Sequence, residues 1–321
     1  SKKLNKMKKI ILITILTFSI FKISYAQITK EVNLPKLFNA VDYSYLSDNT
    51  MPLSTDDETK KMYLEALAVN WNYIDFKTSQ EMMNEVIKSD PIFSMAYAWK
   101  IGDPEINNEG KVEYLKKAKE YVKEATESEK IYIEAVDASF KKLIELQDKF
   151  TNETTIDTIT IWNNETNEYD FIIEQNSPEI DWSEQWSVQI PYLKKLRSMH
   201  PDDFYLNLTL GVCYVQTGNP VKGKHYLYKA LSLDKNSPAV RNLLGYAFLE
   251  MGNTLRAEQE FDKYISMLPD AANPYDSKGD FYAKTGQYRK AVVMYNKAYS
   301  IDNSFEISRK KAEEIRNQLK R

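Results

Sequence analysis

The sequence predicts an all-α fold, a right-handed solenoid of stacked helical hairpins, broken once by a small β-hairpin or a disordered insertion. Three observations predict it: two ladders of glycines at one spacing, long helical patterns ahead of them, and a single Thr/Ile-rich segment between. Gly211, Gly245 and Gly279 are 34 residues apart, and so are Gly218, Gly252 and Gly286. The chain has nine glycines in all, so two three-rung ladders at one period mark an internal repeat. Units laid at 204–237, 238–271 and 272–305 bring further positions into line. Position 20 holds Gly223, Ala257 and Ala291; position 24 holds Leu227, Phe261 and Tyr295; position 27 holds Ala230, Tyr264 and Ala298.

That spacing has a physical reading. Each unit carries two amphipathic helices, and the glycine at position 15 supplies the left-handed residue that ends the first. Small residues at positions 8 and 20 let the two helices approach closely, and large apolar residues at position 24 fill the gap between neighbouring hairpins. One hairpin cannot bury its own apolar face, so the units stack into a superhelix with a concave side. Two residues depart from the pattern. Tyr264 stands where a small residue is usual, and Gly223 weakens its helix by roughly 0.8–1.0 kcal/mol relative to Ala. Residues 306–321, charged but with Ile307, Ala312, Ile315 and Leu319, read as a solvating cap helix.

The three units resemble the tetratricopeptide repeat. Upstream, residues 59–149 carry degenerate helices of the same kind: 59–73 and 77–89 as a pair closed by Asp90-Pro91, then 93–100, 111–126 and 127–146. Here the likeness sharpens to exported bacterial tetratricopeptide-repeat proteins. It rests on Asp90-Pro91-Ile92-Phe93-Ser94-Met95-Ala96-Tyr97, Ser128-Glu129 before Ile131, Leu244-Gly245-Tyr246-Ala247, Ala257-Glu258, Tyr264-Ile265 and Asn273-Pro274-Tyr275-Asp276-Ser277. It covers most of residues 50–305. The resemblance implies fold and export, and it carries over no catalytic residue. Residues 150–180 depart from it: 154–162 and 169–174 are rich in Thr, Ile and aromatics around Asn163-Asn164-Glu165-Thr166-Asn167, which predicts a β-hairpin or a loosely ordered insertion. Helix resumes over 181–203, at 181–188 and at 191–199 with Pro191 in a first-turn position.

The chain's beginning predicts export. Residues 10–21 are a charge-free apolar run too short to span a bilayer, flanked by Lys8 and Lys9, and Ser24-Tyr25-Ala26 offers small residues at −3 and −1 of a cleavage site. Met7 reads as the start, 1–6 as upstream sequence, 1–26 as removed, and 27–58 as a lead segment. Removal takes six lysines and no acids, leaving 37 basic against 46 acidic residues and a net charge of −9. So acidic a chain lacks the footprint of a nucleic-acid binder. No second stretch is apolar enough for a membrane. Cys213 is the only cysteine, which rules out an internal disulfide.

Raw material for catalysis is thin. The two histidines, His200 and His225, have no metal-ligand spacing and read as a turn connector and a helix-surface residue. Cys213 reads as a small buried hydrophobe. No catalytic, metal or cofactor-binding set is predicted, and the protein is expected to be a non-enzymatic scaffold for a protein or peptide partner. The partner site is expected on the first helices, where the concave strip runs through Tyr205, Leu208, Val212, Asn242, Tyr246, Leu249, Asp276 and Asp280, apolar at one end and acidic at the other. That acidic end disfavours a carboxylate clamp. Two other readings are kept. Trp162, Trp182 and Trp186 could form an aromatic platform for a carbohydrate or cell-envelope ligand, though aromatics at helical spacing usually serve a core. The chain could also be an accessory subunit of an envelope enzyme.

Overall fold

The computed structural model describes residues 50–73, 76–163 and 168–320. The expected signal peptide and most of the lead segment lie outside these residues. Helices α1 (Asp57–Ala68) and α2 (Phe76–Ser89) form the first pair, followed by α3 (Ser94–Lys100), α4 (Asn108–Tyr121) and the long α5 (Glu127–Glu153). A hairpin of β1 (Thr155–Asn163) and β2 (Glu168–Asn176) leads to α6 (Glu184–Ser187) and α7 (Ile190–Met199). The three repeats are α8 (Phe204–Gln216) with α9 (Pro220–Leu233), α10 (Pro238–Glu250) with α11 (Thr254–Met267), and α12 (Ala272–Lys284) with α13 (Tyr288–Ile301). Helix α14 (Glu306–Leu319) closes the stack.

Local chemistry sets these boundaries. Asp56, Asn107, Thr126, Asp203 and Ser237 each cap a first turn with a side-chain oxygen, and Thr126 with Glu129 completes a reciprocal capping box. The second helices begin at a ladder of their own: Asn219 and Asn253 cap α9 and α11, whereas Gln287 starts α13 without a side-chain cap bond. Gly218, Gly252 and Gly286 take φ of 72°, 72° and 75°, the left-handed conformation expected at position 15.

The position-8 glycines explain how close the hairpin helices run. A Cβ on Gly211, Gly245 or Gly279 would lie 2.6, 2.7 or 2.5 Å from Leu227, Phe261 or Tyr295. The large residue at position 24 therefore packs first against the glycine of its own hairpin, not only between neighbours. Phe261 also reaches forward, with Phe281 of the next unit 5.9 Å away between ring centroids. Full burial of such a side chain contributes about 1.5–3 kcal/mol. Tyr264, the large residue at position 27, is buried and donates its hydroxyl to Asn273 Oδ1 at 2.9 Å, so it bridges two units.

The N-terminal half differs in detail from its pattern. The helix expected over 59–73 ends at Ala68 and continues as a π-helical turn at Val69–Tyr73, which packs on α10. The stretch expected over 181–188 is one turn, with no side-chain cap bond at Ser183. The insertion is a nine-pair antiparallel hairpin running from Thr155↔Asn176 to Asn163↔Glu168. One apolar core extends from Met51 to Phe281, and a smaller one of Ala291, Tyr295, Ala312 and Ile315 seats α14. The end of the lead segment is tied in: Met51 N–H donates to Asp203 Oδ2 at 2.6 Å, and Ser54 donates through both its amide and its hydroxyl to the buried Glu129.

Candidate functional site: the first-helix strip

Position 9 of the units holds Val212, Tyr246 and Asp280, and position 13 holds Gln216, Glu250 and Lys284, so the 34-residue period sets like positions side by side. The consequence is a strip with cross-unit bonds. Tyr246 donates its hydroxyl to Asp280 Oδ2 at 3.0 Å. Lys284 and Glu250, both exposed, form an ion pair one unit apart. Leu208, Val212 and Leu249 are buried and form the floor of the strip, while Tyr205, Asn242 and Tyr246 are half-buried. The Oδ1 atom of Asn242 is enclosed and, among the described residues, meets no hydrogen-bond donor, which costs stability.

The two ends of the strip are covered by the chain itself. At the first end, the Tyr205 hydroxyl lies 3.5 Å from the carbonyl of Leu64 on α1. At the other, the expected open acidic end is instead interior. Asp276 and Asp280 are each about 5% exposed, because α14 lies over them and supplies a cation. Lys311 Nζ sits 3.2 Å from Asp276 Oδ2 and 2.8 Å from Asp280 Oδ1. Ser308 donates to Asp276 Oδ1 at 2.6 Å, and Tyr295 donates to Asp280 Oδ1 at 2.7 Å.

The electrostatics follow from this enclosure. Burial pushes the Asp276 carboxyl above its ordinary value against the pull of Lys311, with Asp280 adding to the rise. Burial would lower Lys311, but the two carboxylates outweigh it and hold the ammonium protonated. Tyr246 and Tyr295 are driven well above the usual phenol range, first by burial and then by the Asp280 charge. Extending the 34-residue period into the tail places Ser308 and Lys311 on the next first helix. That is the sequence signal from which the covering of Asp276 and Asp280 can be read.

Two of the tryptophans, Trp182 and Trp186, lie on the helical body beside the insertion. Trp182 stands against Phe150 at the end of α5 with centroids 6.0 Å apart, and Trp186 is half-buried against the main core. Trp162 belongs to β1, opposite Tyr169. His200 Nε2 lies 2.6 Å from Ser128 Oγ, and burial lowers its pKa; His225 meets Tyr226 edge-on. Cys213 is buried, which raises its thiol to about 12. Among the described residues no three His, Cys, Asp or Glu side chains are grouped to hold a metal ion, and no helix is long and apolar enough to cross a membrane.

No curated protein matches the chain. Several solved structures are similar at low identity. A type IV pilus biogenesis factor, PilW, shares 14% identity over 77% of this chain and 94% of its own, with a TM-score of 0.42. The protein MamA shares 22% over 44% of this chain and 97% of its own, with a TM-score of 0.34. The tetratricopeptide-repeat domain of Arabidopsis OM64 shares 16% over 36% of this chain and 94% of its own, with a TM-score of 0.32. A family model, the tetratricopeptide repeat, matches residues 272–305, the unit laid down by the glycine ladders. Residues 272–305 therefore carry a tetratricopeptide repeat, and 204–237 and 238–271 share its hairpin geometry.

Proposed function

We propose that the protein is an exported, non-enzymatic scaffold that holds a segment of a protein partner along the first-helix strip. The observation that carries this reading is the run of half-buried and exposed side chains at matched positions of successive units. Tyr205, Asn242 and Tyr246 supply half-buried aromatic and amide area, and Gln216, Glu250 and Lys284 form a polar rim. Leu208, Val212 and Leu249 act beneath them as a packed floor that fixes their spacing. Both Asp276 and Asp280 are covered by α14 and act indirectly: Asp280 anchors the Tyr246 hydroxyl, and Asp276 holds Ser308 and Lys311 of α14. Export rests on the apolar run at 10–21 and the Ser24-Tyr25-Ala26 site.

The reading is tested with the mature chain 27–321 and a partner captured from its own cell envelope. Truncating a central interface Tyr costs more than about 1–2 kcal/mol when it is a hot spot, so Tyr205→Ala should weaken the captured complex at least about tenfold. Glu250→Lys and Lys284→Glu should each weaken it, in a salt-dependent way. Unchanged affinity in all three folded variants, with loss in Trp182→Ala, would place the site at the aromatic residues beside the insertion instead.

A further inference from the structure

We propose that the β-hairpin is a self-association element, in which the outer edge of β1 pairs antiparallel with the same edge of a second copy of this chain. Among the described residues the sheet has two strands only, β1 and β2. A nine-pair ladder is long for a two-stranded ribbon, which is marginally stable in water without further strands or a helix to support it. Such an edge is a template for another strand unless charge, proline or a bulge guards it.

The two edges differ in how they are guarded. Strand β1 reads Thr155-Ile-Asp-Thr-Ile-Thr-Ile-Trp-Asn163: it has no Lys, Arg, Pro or Gly, and one charge, Asp157. Strand β2 carries Glu168, Asp170 and Glu174. A two-fold β2–β2 pairing centred on Ile172 sets Asp170 opposite Glu174 of the second copy, twice, which is destabilising. A β1–β1 pairing centred on Ile159 sets Asp157 opposite Ile161, Thr158 opposite Thr160, and Ile156 opposite Trp162. Those pairs contain no like charges and include β-branched with aromatic, a favourable combination.

Register and closure select the same arrangement. Directly opposed residues share a sheet face, so centring on Ile159 continues the face that holds Ile156, Thr158, Thr160 and Trp162 into the same face of the second copy. It also pairs all nine residues of β1. Because α5 ends at Glu153, just before β1, antiparallel pairing sends the two helical bodies to opposite ends of a four-stranded sheet about 30 Å long. The acidic β2 edges remain outermost and stop further growth, so the assembly closes as a dimer.

The test uses the full chain with single cysteines added, Cys213 being buried. In the dimer the two copies of residue 159 face each other with Cβ atoms about 4.5–5.5 Å apart, whereas the two copies of residue 172 are separated by three strand spacings, about 14 Å. Ile159→Cys should give a disulfide-linked dimer on mild oxidation, and Ile172→Cys should stay monomeric under the same conditions. In sedimentation, the unmodified chain should run as a concentration-dependent dimer. Ile159→Lys should weaken it about tenfold or more, and mixing with Ile159→Glu should restore it by pairing opposite charges. A chain that sediments as a monomer overturns the proposal. So does a dimer in which residue 172 cross-links as readily as residue 159, or in which neither does.

Discussion

Gly223→Ala separates what helix propensity predicts from what the packing allows. In an isolated helix this change is favourable by about 0.8–1.0 kcal/mol. In the α8–α9 hairpin, a Cβ at residue 223 would lie 2.6 Å from Val215 Cγ2, 2.9 Å from the carbonyl oxygen of Gly211 and 3.1 Å from the amide nitrogen of Val215. The valine methyl can turn away, but the other two atoms are backbone, so relief requires α8 and α9 to move apart. Overpacking of this kind costs typically 1–3 kcal/mol. With the propensity gain subtracted, the net loss should be up to about 2 kcal/mol. Thermal unfolding should shift down by roughly 2–4 °C per kcal/mol for a chain of this size. Amide exchange in α8 and α9 should accelerate more than in α12 and α13, since stability in a repeat stack is local. Adding Val215→Ala should recover only part of the loss, because the Gly211 carbonyl remains. A rise in stability equal to the propensity gain would refute the claim that backbone contact fixes this glycine.

Lys311→Ala leaves Asp276 and Asp280 buried without their cation, a change that typically costs about 3–5 kcal/mol; α14 should lose amide protection first, and a near-neutral result would mean that water reaches the carboxylates freely. Asp203 is raised from 3.8 to about 6 by burial, against the pull of its backbone donors. A carboxyl raised on folding adds stability that is fully present below pH about 4 and lost as pH rises through about 6, here roughly 3 kcal/mol. Asp203→Asn should flatten that window in urea titrations at pH 4 and pH 7. Protein recovered outside the cytoplasm should begin at Gln27 by intact mass, and a retained 7–26 segment would contradict the cleavage reading.

The fold was legible wherever a single local requirement recurs at a fixed spacing. Gly218, Gly252 and Gly286 mark turns because few other residues adopt φ near +72°, and Gly211, Gly245 and Gly279 mark close approach because a ring or branched side chain fills the space. The Thr-, Ile- and aromatic-rich residues 154–162 and 169–174 excluded helix there but left a β-hairpin and a loosely ordered insertion both open; the chain forms the hairpin. What depends on contacts between elements was harder to read. Asp276 and Asp280 look like an exposed acidic strip unless the 34-residue period is carried into the tail, where it sets Lys311 of α14 over them. The burial of Leu208, Val212 and Leu249 likewise belongs to assembled neighbours, the turn at Val69–Tyr73 packing on α10 among them. The Lys284–Glu250 pair could have been read from the period, since the two residues are one unit apart.

The scaffold reading stands or falls on where a partner touches the chain. A photo-reactive amino acid placed singly at Gln216, Asn242, Lys284, Leu255 or Trp182, in the organism's own envelope, reports that contact directly. Leu255 is the control, two-thirds exposed at the start of a second helix. Adducts to one partner protein from residues 216, 242 and 284, with none from 255, are the predicted result. Adducts confined to 255 or to 182, with the three strip positions silent, would contradict it.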